Sequence, residues 1–407
     1  MKKNFAPIGL LLALAMLFAA CNAQTAANTT DTSSQAPSDT VTVETAEQTE
    51  TTDEAETTNE ETEPVTTGEE TTAPHTTEPQ TTEPQTTEPQ TTEPQTTEPE
   101  TTVEIPPASE GGLDTPDGAF VVNGIVIDGT RAMEQFSGTE KSGQGCAALL
   151  NEFKKAVGEG VNVYAMPAPT SGAIYAPDSY PITVSRTARC FTGLKDALDG
   201  VIYVDALNNL KAHRDEYIYF RTDHHWTALG AYYACQQLAK VADLPFAELD
   251  NFAENPIAPF VGSMYGYTDG LAVLENNPDT LICYEPMQEY SCDYYSRDDF
   301  EFKFSGTLFG SNESYTRFIY GDSYTVHIKT GVENGRRLIV FKDSYGNALA
   351  PFLISSFEEV YIADMRYFDL NAAEFISEHG ITDVCFTMSS FSVAGGNRDN
   401  ITRLIEN

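Results

Sequence analysis

The sequence predicts an α/β domain built on a parallel sheet, and two observations support this. Between residues 110 and 407, short apolar runs typical of strands alternate with segments of helical periodicity. The apolar runs show little polar alternation, as expected of parallel strands that are buried on both faces. We therefore expect helices on both sides of the sheet.

The predicted elements follow one another along the domain. Residues 243–332 differ from the rest, because they are rich in Asn, Asp, Tyr, Phe and Gly and show no convincing helical pattern. This composition indicates an inserted irregular or β-rich region. Strands are predicted at residues 161–165, 201–204, 338–341, 360–362 and 384–386. Helices are predicted at residues 146–157, 187–198, 228–241, 371–379 and 400–405.

The first 20 residues have the features of a lipoprotein signal peptide. Lys2 and Lys3 precede an apolar run at residues 8–20, which is too short to span a bilayer. The run ends in Leu-Phe-Ala-Ala before Cys21, which resembles a bacterial lipobox. The alternative is a plain secretory signal followed by a chance cysteine. We expect Cys21 to carry a lipid that tethers the protein to the extracellular face of the cell membrane.

A disordered stalk is predicted at residues 21–108, between the lipid anchor and the domain at residues 109–407. Thr, Glu and Pro dominate this segment, and TTEPQ repeats from Thr76. Such a chain has too little apolar surface to offset the entropy of ordering. At about 3.1 Å per residue it would reach up to roughly 250 Å. This reach suits a thick cell wall, so a Gram-positive source is expected.

The acidic composition argues against nucleic acid as a partner. The chain has 61 Asp and Glu against 23 Lys and Arg, a net charge of −38. Residues 1–105 hold 20 of the acids and 2 of the bases, which leaves −20 for the remainder, without a basic stripe. The six cysteines after Cys21 lack CxxC spacing. We expect mostly buried free thiols, although an even number in an exported domain also permits disulfides.

One candidate site lies at residues 220–227, in a polar loop before the predicted helix at 228–241. Asp223 and His225 are two residues apart, so an extended loop points both side chains the same way. A carboxylate in that position can orient an imidazole and stabilise its charged form. Trp226 is the only tryptophan and is expected to pack beside the site.

Two other interpretations of this loop stay open. It can be a polar helix N-terminus with a surface pair of histidines. It can also be a metal site formed by Asp223, His224 and His225, with His213 as a further ligand. Adjacent histidines point in different directions, so we expect no metal and no cofactor.

A second candidate site follows the predicted strand at residues 338–341. A strand-to-helix turn at Asp343 and Ser344 would hold the serine hydroxyl at the carboxyl end of the sheet. The helix start would offer backbone N–H groups to an oxyanion. The alternative is that Asp343 or Ser344 only caps the helix. Ser323, in a Gly-Asp-Ser triplet, competes as nucleophile, but the strand pattern at residues 324–328 indicates a hairpin there.

The two segments together resemble the DHHW family, which is SGNH-like and related to periplasmic alginate O-acetyltransferases. The run TDHHWT at residues 222–227 is followed by Gly-Ala-Tyr at 230–232. Their joint occurrence with further segments, in this order, is fairly specific. The further segments are residues 166–175, 342–345, 350–353 and 364–367.

This resemblance implies an SGNH-like three-layer sandwich with a Ser-His-Asp triad. Ser344 would be the nucleophile, His225 the base and Asp223 its orienting partner. The implied activity is that of an O-acetyltransferase or O-acetylesterase on extracellular polysaccharide, with a multipass membrane acyltransferase as a possible partner. The candidates for binding the substrate or the oxyanion are Tyr345, Asn312, Arg366, Tyr367 and Trp226. For Arg366 a structural salt bridge is the alternative.

A non-catalytic alternative remains at this stage. The protein can be a glycan-binding surface lipoprotein that keeps the SGNH-like fold. The aromatic residues between positions 265 and 295 would then stack on sugars. Loss of the Ser344 hydroxyl would leave such binding intact.

Overall fold

The computed structural model describes residues 118–407. The predicted signal peptide, the lipid anchor at Cys21 and the predicted stalk lie outside the described residues. Among the helices of residues 118–407, none has both the length and the apolar composition that a membrane span requires.

Strands and helices alternate through the described chain, and the elements predicted from the sequence are all present. The helices predicted at residues 146–157 and 187–198 each begin six residues earlier, at Glu140 and Pro181, and the other ends shift by a few residues. The strands are β1 (Phe120–Val122), β2 (Ile125–Asp128), β3 (Arg131–Glu134), β4 (Asn162–Ala168), β5 (Ile202–Tyr203), β6 (Phe252–Phe260), β7 (Asp279–Pro286), β8 (Tyr290–Ser296), β9 (Phe302–Gly306), β10 (Tyr324–Thr330), β11 (Arg337–Lys342), β12 (Glu359–Asp364) and β13 (Asp383–Ser389). The α-helices are α1 (Glu140–Val157), α2 (Gly172–Tyr175), α3 (Pro181–Ala197), α4 (Ala206–Ala212), α5 (Ala228–Val241), α6 (Ser263–Tyr267), α7 (Ala272–Glu275), α8 (Ala350–Leu353), α9 (Ala372–Glu378), α10 (Ser390–Ala394) and α11 (Asn400–Glu406). Short 3-10 helices cover Leu249–Asn251, Tyr315–Arg317, Ser344–Leu349 and Gly396–Asp399.

The central sheet is parallel on one side and antiparallel on the other. Its strand order is β5-β4-β13-β11-β12-β10-β8-β9. The strands from β5 to β12 are parallel to one another, as predicted. Strands β10, β8 and β9 join in antiparallel pairs. The region predicted to be inserted is therefore β-rich, and it both extends the main sheet and forms the separate pair β6-β7.

Helices cover both faces of the sheet. Leu338, Ile339, Val340 and Phe341 of β11 are all fully buried. Successive side chains of a strand point to opposite faces, so neither face of β11 is exposed to solvent. Phe153 of α1 packs edge-on against Phe341 on one of these faces, with ring centroids 6.0 Å apart. The predicted SGNH-like three-layer sandwich is confirmed.

A small antiparallel sheet of β1, β2 and β3 precedes the main fold and was not predicted. Asn123 and Gly124 form its first turn with φ values of 49° and 84°. Both values are positive, as a two-residue hairpin turn requires. The Ala132 N–H donates to the Arg221 carbonyl at 2.9 Å. This hydrogen bond places β3 beside the loop at residues 221–227.

The cysteines of the described residues are free and buried, which confirms the expectation for the thiols. Burial raises the pKa of the Cys146 and Cys385 thiols to about 12. These thiols therefore stay protonated at neutral pH and behave as small apolar side chains.

Candidate active site

Asp223, His225 and Ser344 meet at the carboxyl end of the central sheet. Ser344 follows β11 and begins a 3-10 helix, whereas His225 lies in the loop before α5. His225 Nε2 lies 2.8 Å from Ser344 Oγ. His225 Nδ1 lies 2.7 Å from Asp223 Oδ1. The hydrogen bonds thus run from carboxylate to imidazole to hydroxyl, as in a serine triad.

Several contacts fix the His225 ring and its partner carboxylate. The His225 backbone N–H also donates to Asp223 Oδ1, at 3.0 Å. The Ser263 N–H donates to Asp223 Oδ2 at 2.8 Å. The ring of Tyr315 stacks on the imidazole, with centroids 3.7 Å apart and planes 5° apart. The imidazole therefore has little freedom to leave the line between Asp223 and Ser344.

Asp223 is charged despite its burial. Burial alone would raise the pKa of Asp223, but the nearby His225 and His224, together with hydrogen bonds from His225 and the Ser263 N–H, hold that pKa well below its usual range. A permanent negative charge next to Nδ1 stabilises the imidazolium that forms when His225 accepts a proton.

Gly262 is required for the approach of the Ser263 N–H to the carboxylate. A Cβ atom at position 262 would lie 2.2 Å from Asp223 Cβ and 2.6 Å from Asp223 Oδ2. The Gly262 N–H donates to Thr222 Oγ1 at 3.0 Å. No side chain larger than hydrogen fits this position without displacing Asp223.

Asp279, at the start of β7, anchors the loop and was not singled out from the sequence. Its buried carboxylate accepts hydrogen bonds from the Thr222 N–H and Thr222 Oγ1, both at 2.7 Å. The Arg221 N–H donates at 2.9 Å and the Tyr217 hydroxyl at 2.7 Å. Sequence reasoning had no signal for it, because it is one acid among many in a region predicted to be irregular.

Asp343 organises the turn that carries Ser344. Asp343 Oδ1 accepts from the Tyr345 N–H at 3.1 Å. Its Oδ2 accepts from the Ser389 N–H at 2.8 Å and from Ser392 Oγ at 2.6 Å. Asp343 therefore caps the 3-10 helix, while the Ser344 hydroxyl faces His225. Because Asp343 engages the Tyr345 N–H, the expectation that this N–H can bind an oxyanion is corrected.

A cluster of four charged side chains lies behind the serine turn. Lys342 Nζ is fully buried and lies 2.8 Å from Asp322 and 3.1 Å from Asp364. Arg366 lies 2.6 Å from Asp364 and 2.7 Å from Asp322. Asn347 Nδ2 donates to Asp322 Oδ1 at 3.0 Å. Burial alone would lower the pKa of Arg366, but the carboxylates of Asp364 and Asp322 raise it above its usual value.

Ser344 lines a cleft with a volume of about 930 Å³. Arg366 and Tyr367, which were predicted to flank the site, both line this cleft together with Tyr345 and His224. The Arg297 guanidinium lies over the Tyr367 ring at 3.8 Å from its centroid. The Tyr345 hydroxyl donates to the His224 carbonyl.

Three other predicted residues lie elsewhere. Trp226 is fully buried, and its Nε1 donates to the Tyr345 carbonyl at 2.9 Å, so it supports the serine turn instead of contacting a substrate. Asn312 is exposed and donates to Thr316 Oγ1 at 2.7 Å. It is not among the residues that line the cleft, so its predicted role at the oxyanion is corrected. Ser323 is exposed in the turn before β10, and the predicted strand at residues 324–328 is present. The hairpin prediction is wrong, because β10 pairs with β8 and β12 and not with the preceding strand β9.

The donor arrangement fits a triad better than a metal site. Asp223, His224 and His225 offer ligand atoms within 4.8 Å of one another. However, both His225 nitrogens already have hydrogen-bond partners, and His224 Nδ1 lies 2.5 Å from Ser263 Oγ. A metal ion would have to displace these bonds. His213, the further ligand considered, pairs with an acidic side chain and stacks on a tyrosine.

Comparisons with known proteins identify the family. A DHHW family protein from Eubacterium siraeum is 41% identical, with 71% of this chain and 98% of that chain covered and a TM-score of 0.67. Bacillus cereus PatB1, solved alone and with a sulfonyl adduct, is 18% and 17% identical. These two matches cover 69% of this chain and 98% and 97% of the PatB1 chains, with TM-scores of 0.55 and 0.56, and they show a shared fold. A comparison with curated proteins found no match. The DHHW protein family itself matches residues 105–363, and the chain belongs to this family.

Proposed function

We propose that this protein is a serine-dependent O-acetyltransferase or O-acetylesterase that acts on extracellular polysaccharide. The observation that carries the proposal is the hydrogen-bonded chain from Asp223 through His225 to Ser344, at 2.7 and 2.8 Å. Three such groups in this geometry activate a serine for attack on a carbonyl. The resemblance to alginate O-acetyltransferases favours an acetyl ester as the substrate.

The reaction has two halves. Ser344 Oγ attacks the acyl carbonyl carbon as His225 Nε2 takes its proton, and Asp223 stabilises the resulting imidazolium. The tetrahedral intermediate collapses, the donor oxygen leaves with the proton from His225, and an ester remains on Ser344. A sugar hydroxyl or water then attacks this ester, its proton passes to His225, and the Ser344 Oγ–carbon bond breaks as His225 returns the proton to Ser344 Oγ.

Two groups are proposed to stabilise the developing oxyanion. The first is the Ser344 backbone N–H at the start of the 3-10 helix, because Ser344 lines the cleft. The second is the Arg366 guanidinium, which lines the same cleft and which the carboxylates of Asp364 and Asp322 keep charged. A fixed positive charge in a partly buried site can lower a barrier by several kcal/mol, on the order of what one oxyanion donor contributes.

The proposed place of action is the outer face of the cell membrane. The lipobox-like sequence before Cys21 and the acidic, Pro-rich segment that follows support a tethered lipoprotein. A multipass membrane acyltransferase that delivers acyl groups across the membrane is the proposed partner. The polysaccharide would be wall-associated or secreted.

The proposal is tested on the purified full chain with 4-nitrophenyl acetate and a fluorophosphonate probe. The parent should release nitrophenol and carry the probe on Ser344. Ser344→Ala should lose both, whereas Ser323→Ala, which changes an exposed serine outside the cleft, should keep both. Mass spectrometry of a proteolytic digest locates the modified serine.

The alternative of non-catalytic glycan binding makes the opposite prediction. If the parent takes up no probe and releases no more nitrophenol than Ser344→Ala, the catalytic proposal is wrong. Retained binding of a polysaccharide by Ser344→Ala would then support the binding role.

A further inference from the structure

Glu134 is a buried acid in the wall of the cleft that opens at Ser344. It is the last residue of β3 and is only 8% exposed. It lines the cleft together with Ser344, His224 and Tyr345. The triad and the proposed oxyanion donors do not use it.

One of its carboxylate oxygens has no hydrogen-bond partner. Within residues 118–407, Glu134 Oε2 is inaccessible to solvent and makes no hydrogen bond. A buried carboxylate oxygen left without a partner costs free energy, so its presence in a native site calls for an explanation. Rotation about the last side-chain torsion exchanges the two oxygens, because the preferences of that torsion are broad and nearly two-fold. Either oxygen can therefore be presented to a group in the cleft.

We propose that Glu134 is a specificity-determining residue that binds a second hydroxyl of the sugar acceptor and so directs the acyl group to sugar instead of water. The inference rests on the proposed function, because it concerns the second half of that reaction. One acceptor hydroxyl attacks the ester on Ser344 while a neighbouring hydroxyl donates to the Glu134 carboxylate. The attacking hydroxyl loses its proton to His225, the bond between Ser344 Oγ and the acyl carbon breaks, and His225 returns the proton to Ser344 Oγ. A water molecule has no hydroxyl on a neighbouring carbon, so Glu134 does not position it for attack in this way.

The ionisation of Glu134 provides a readout that a purely structural role would not produce. Burial raises the pKa of Glu134 to about 7, with a smaller raising effect from Asp223 and a lowering effect from His224. Tyr345 also faces it, and Glu134 contributes to the raised pKa of that phenol. A carboxylate accepts a hydroxyl hydrogen bond more strongly than a carboxylic acid. The ratio of transfer to hydrolysis should therefore rise as the pH increases through about 7.

The ratio of transfer to hydrolysis separates an effect of Glu134 from an effect of the triad. Transfer and hydrolysis start from the same acyl-enzyme, and both use His225 as the base. A change in that base therefore affects both rates alike and cancels in their ratio. A pH dependence of the ratio reports on the acceptor side of the cleft.

The experiment follows the fate of the acetyl group from 4-nitrophenyl acetate, using the purified full chain with methyl glucopyranoside or ethanol as acceptor. Acetylated product and free acetate are quantified by mass spectrometry from pH 5.5 to 8.5. Glu134→Gln keeps the side-chain shape but cannot ionise. Glu152→Gln, on the exposed face of α1, is the matched control. Fluorophosphonate labelling at the parental rate shows that a variant keeps an intact nucleophile.

The expected result is specific to the sugar. In the parent, the transfer ratio to the glucoside should rise about tenfold across pH 7, the effect of one charge-assisted hydrogen bond. In Glu134→Gln the ratio should be flat and about tenfold below the parent at pH 8.5. Ethanol has one hydroxyl and so cannot donate a second hydrogen bond to Glu134. Its ratio of transfer to hydrolysis should therefore be the same in the parent and both variants to within about twofold.

Four outcomes would overturn the inference. A flat ratio in the parent refutes it without any variant, and so does an equal glucoside ratio in the parent and Glu134→Gln. A parent that acylates but never transfers to the glucoside refutes it while the esterase function stands. A parent that forms no acyl-enzyme removes the proposed function and this inference together.

Discussion

Replacing Asp223 with Asn tests the orienting role of the carboxylate with almost no change of shape. Asp223 Oδ1 faces two donors of His225, its Nδ1 at 2.7 Å and its backbone N–H at 3.0 Å. Asp223 Oδ2 faces a third donor, the Ser263 N–H, at 2.8 Å. An amide has only one oxygen, so its NH2 group must oppose one of these donors or force His225 into the tautomer that carries the proton on Nε2.

Either arrangement of the amide should lower kcat. With the proton on Nε2, His225 cannot accept a proton from Ser344. With the amide nitrogen toward Ser263, a donor faces a donor and the Asp223 side chain loses its anchored position. In a triad with the same roles the loss in kcat is on the order of 10⁴-fold. At about 1.36 kcal/mol per factor of ten, this corresponds to roughly 5 kcal/mol of transition-state stabilisation.

The assay is turnover of 4-nitrophenyl acetate by the full chain, with Asp128→Asn as control. Asp128 is the exposed last residue of β2, so its amide variant should match the parent. Far-UV circular dichroism should be the same for all three proteins. If Asp223→Asn keeps kcat within tenfold of the parent, the carboxylate does not set the tautomer of His225, and the assignment of the triad is wrong.

Other perturbations give distinct outcomes, each measured by urea unfolding unless stated. Lys342→Met removes one of the two cations that pair with Asp322 and the buried Asp364, leaves Arg366 as their remaining partner, and should cost about 3 kcal/mol. Gly262→Ala should cost about 1–3 kcal/mol through overpacking, and it should also lower esterase activity because the new methyl group displaces Asp223. Trp226→Phe removes one of the two donors to the Tyr345 carbonyl, leaves the Tyr315 hydroxyl as the other, and should cost about 1 kcal/mol. The depressed pKa of Asp223 contributes stability above about pH 4 that is lost as the pH falls, so acid should destabilise Asp223→Asn less than the parent.

The sequence was sufficient for the part of the site that local pattern encodes. An apolar strand followed by Asp343 and Ser344 has a strong signature, because a buried parallel strand needs a continuous apolar run. Asp223 and His225 share one short loop, so their spacing alone indicated that they could meet. The distance from His225 to Ser344 is a property of the fold, and the family resemblance supplied that pairing.

The features that could not be predicted from the sequence depend on contacts between segments that are distant along the chain. The sheet of β1, β2 and β3 has strands of three or four residues, too short for a clear period. An available signal was the Asn-Gly pair at positions 123 and 124, since such a pair between apolar residues is typical of a hairpin. Glu134 and Asp279 had no comparable signal, because a single acid reveals its role only when its burial and its partners are known.

The inserted region at residues 243–332 holds the loop at residues 221–227, which carries Asp223 and His225, in its position. Ser263 and Tyr315 come from this region and hold Asp223 and the His225 ring, while Asp279 fixes the preceding residues of the loop. Ser344 depends mainly on the parallel sheet, through the turn after β11, although Asp322 of the inserted region also bonds Lys342 and Asn347. A change at Ser263 can therefore displace Asp223 and His225 while Ser344 keeps its support from the sheet. Such a change should lower the rate of acylation.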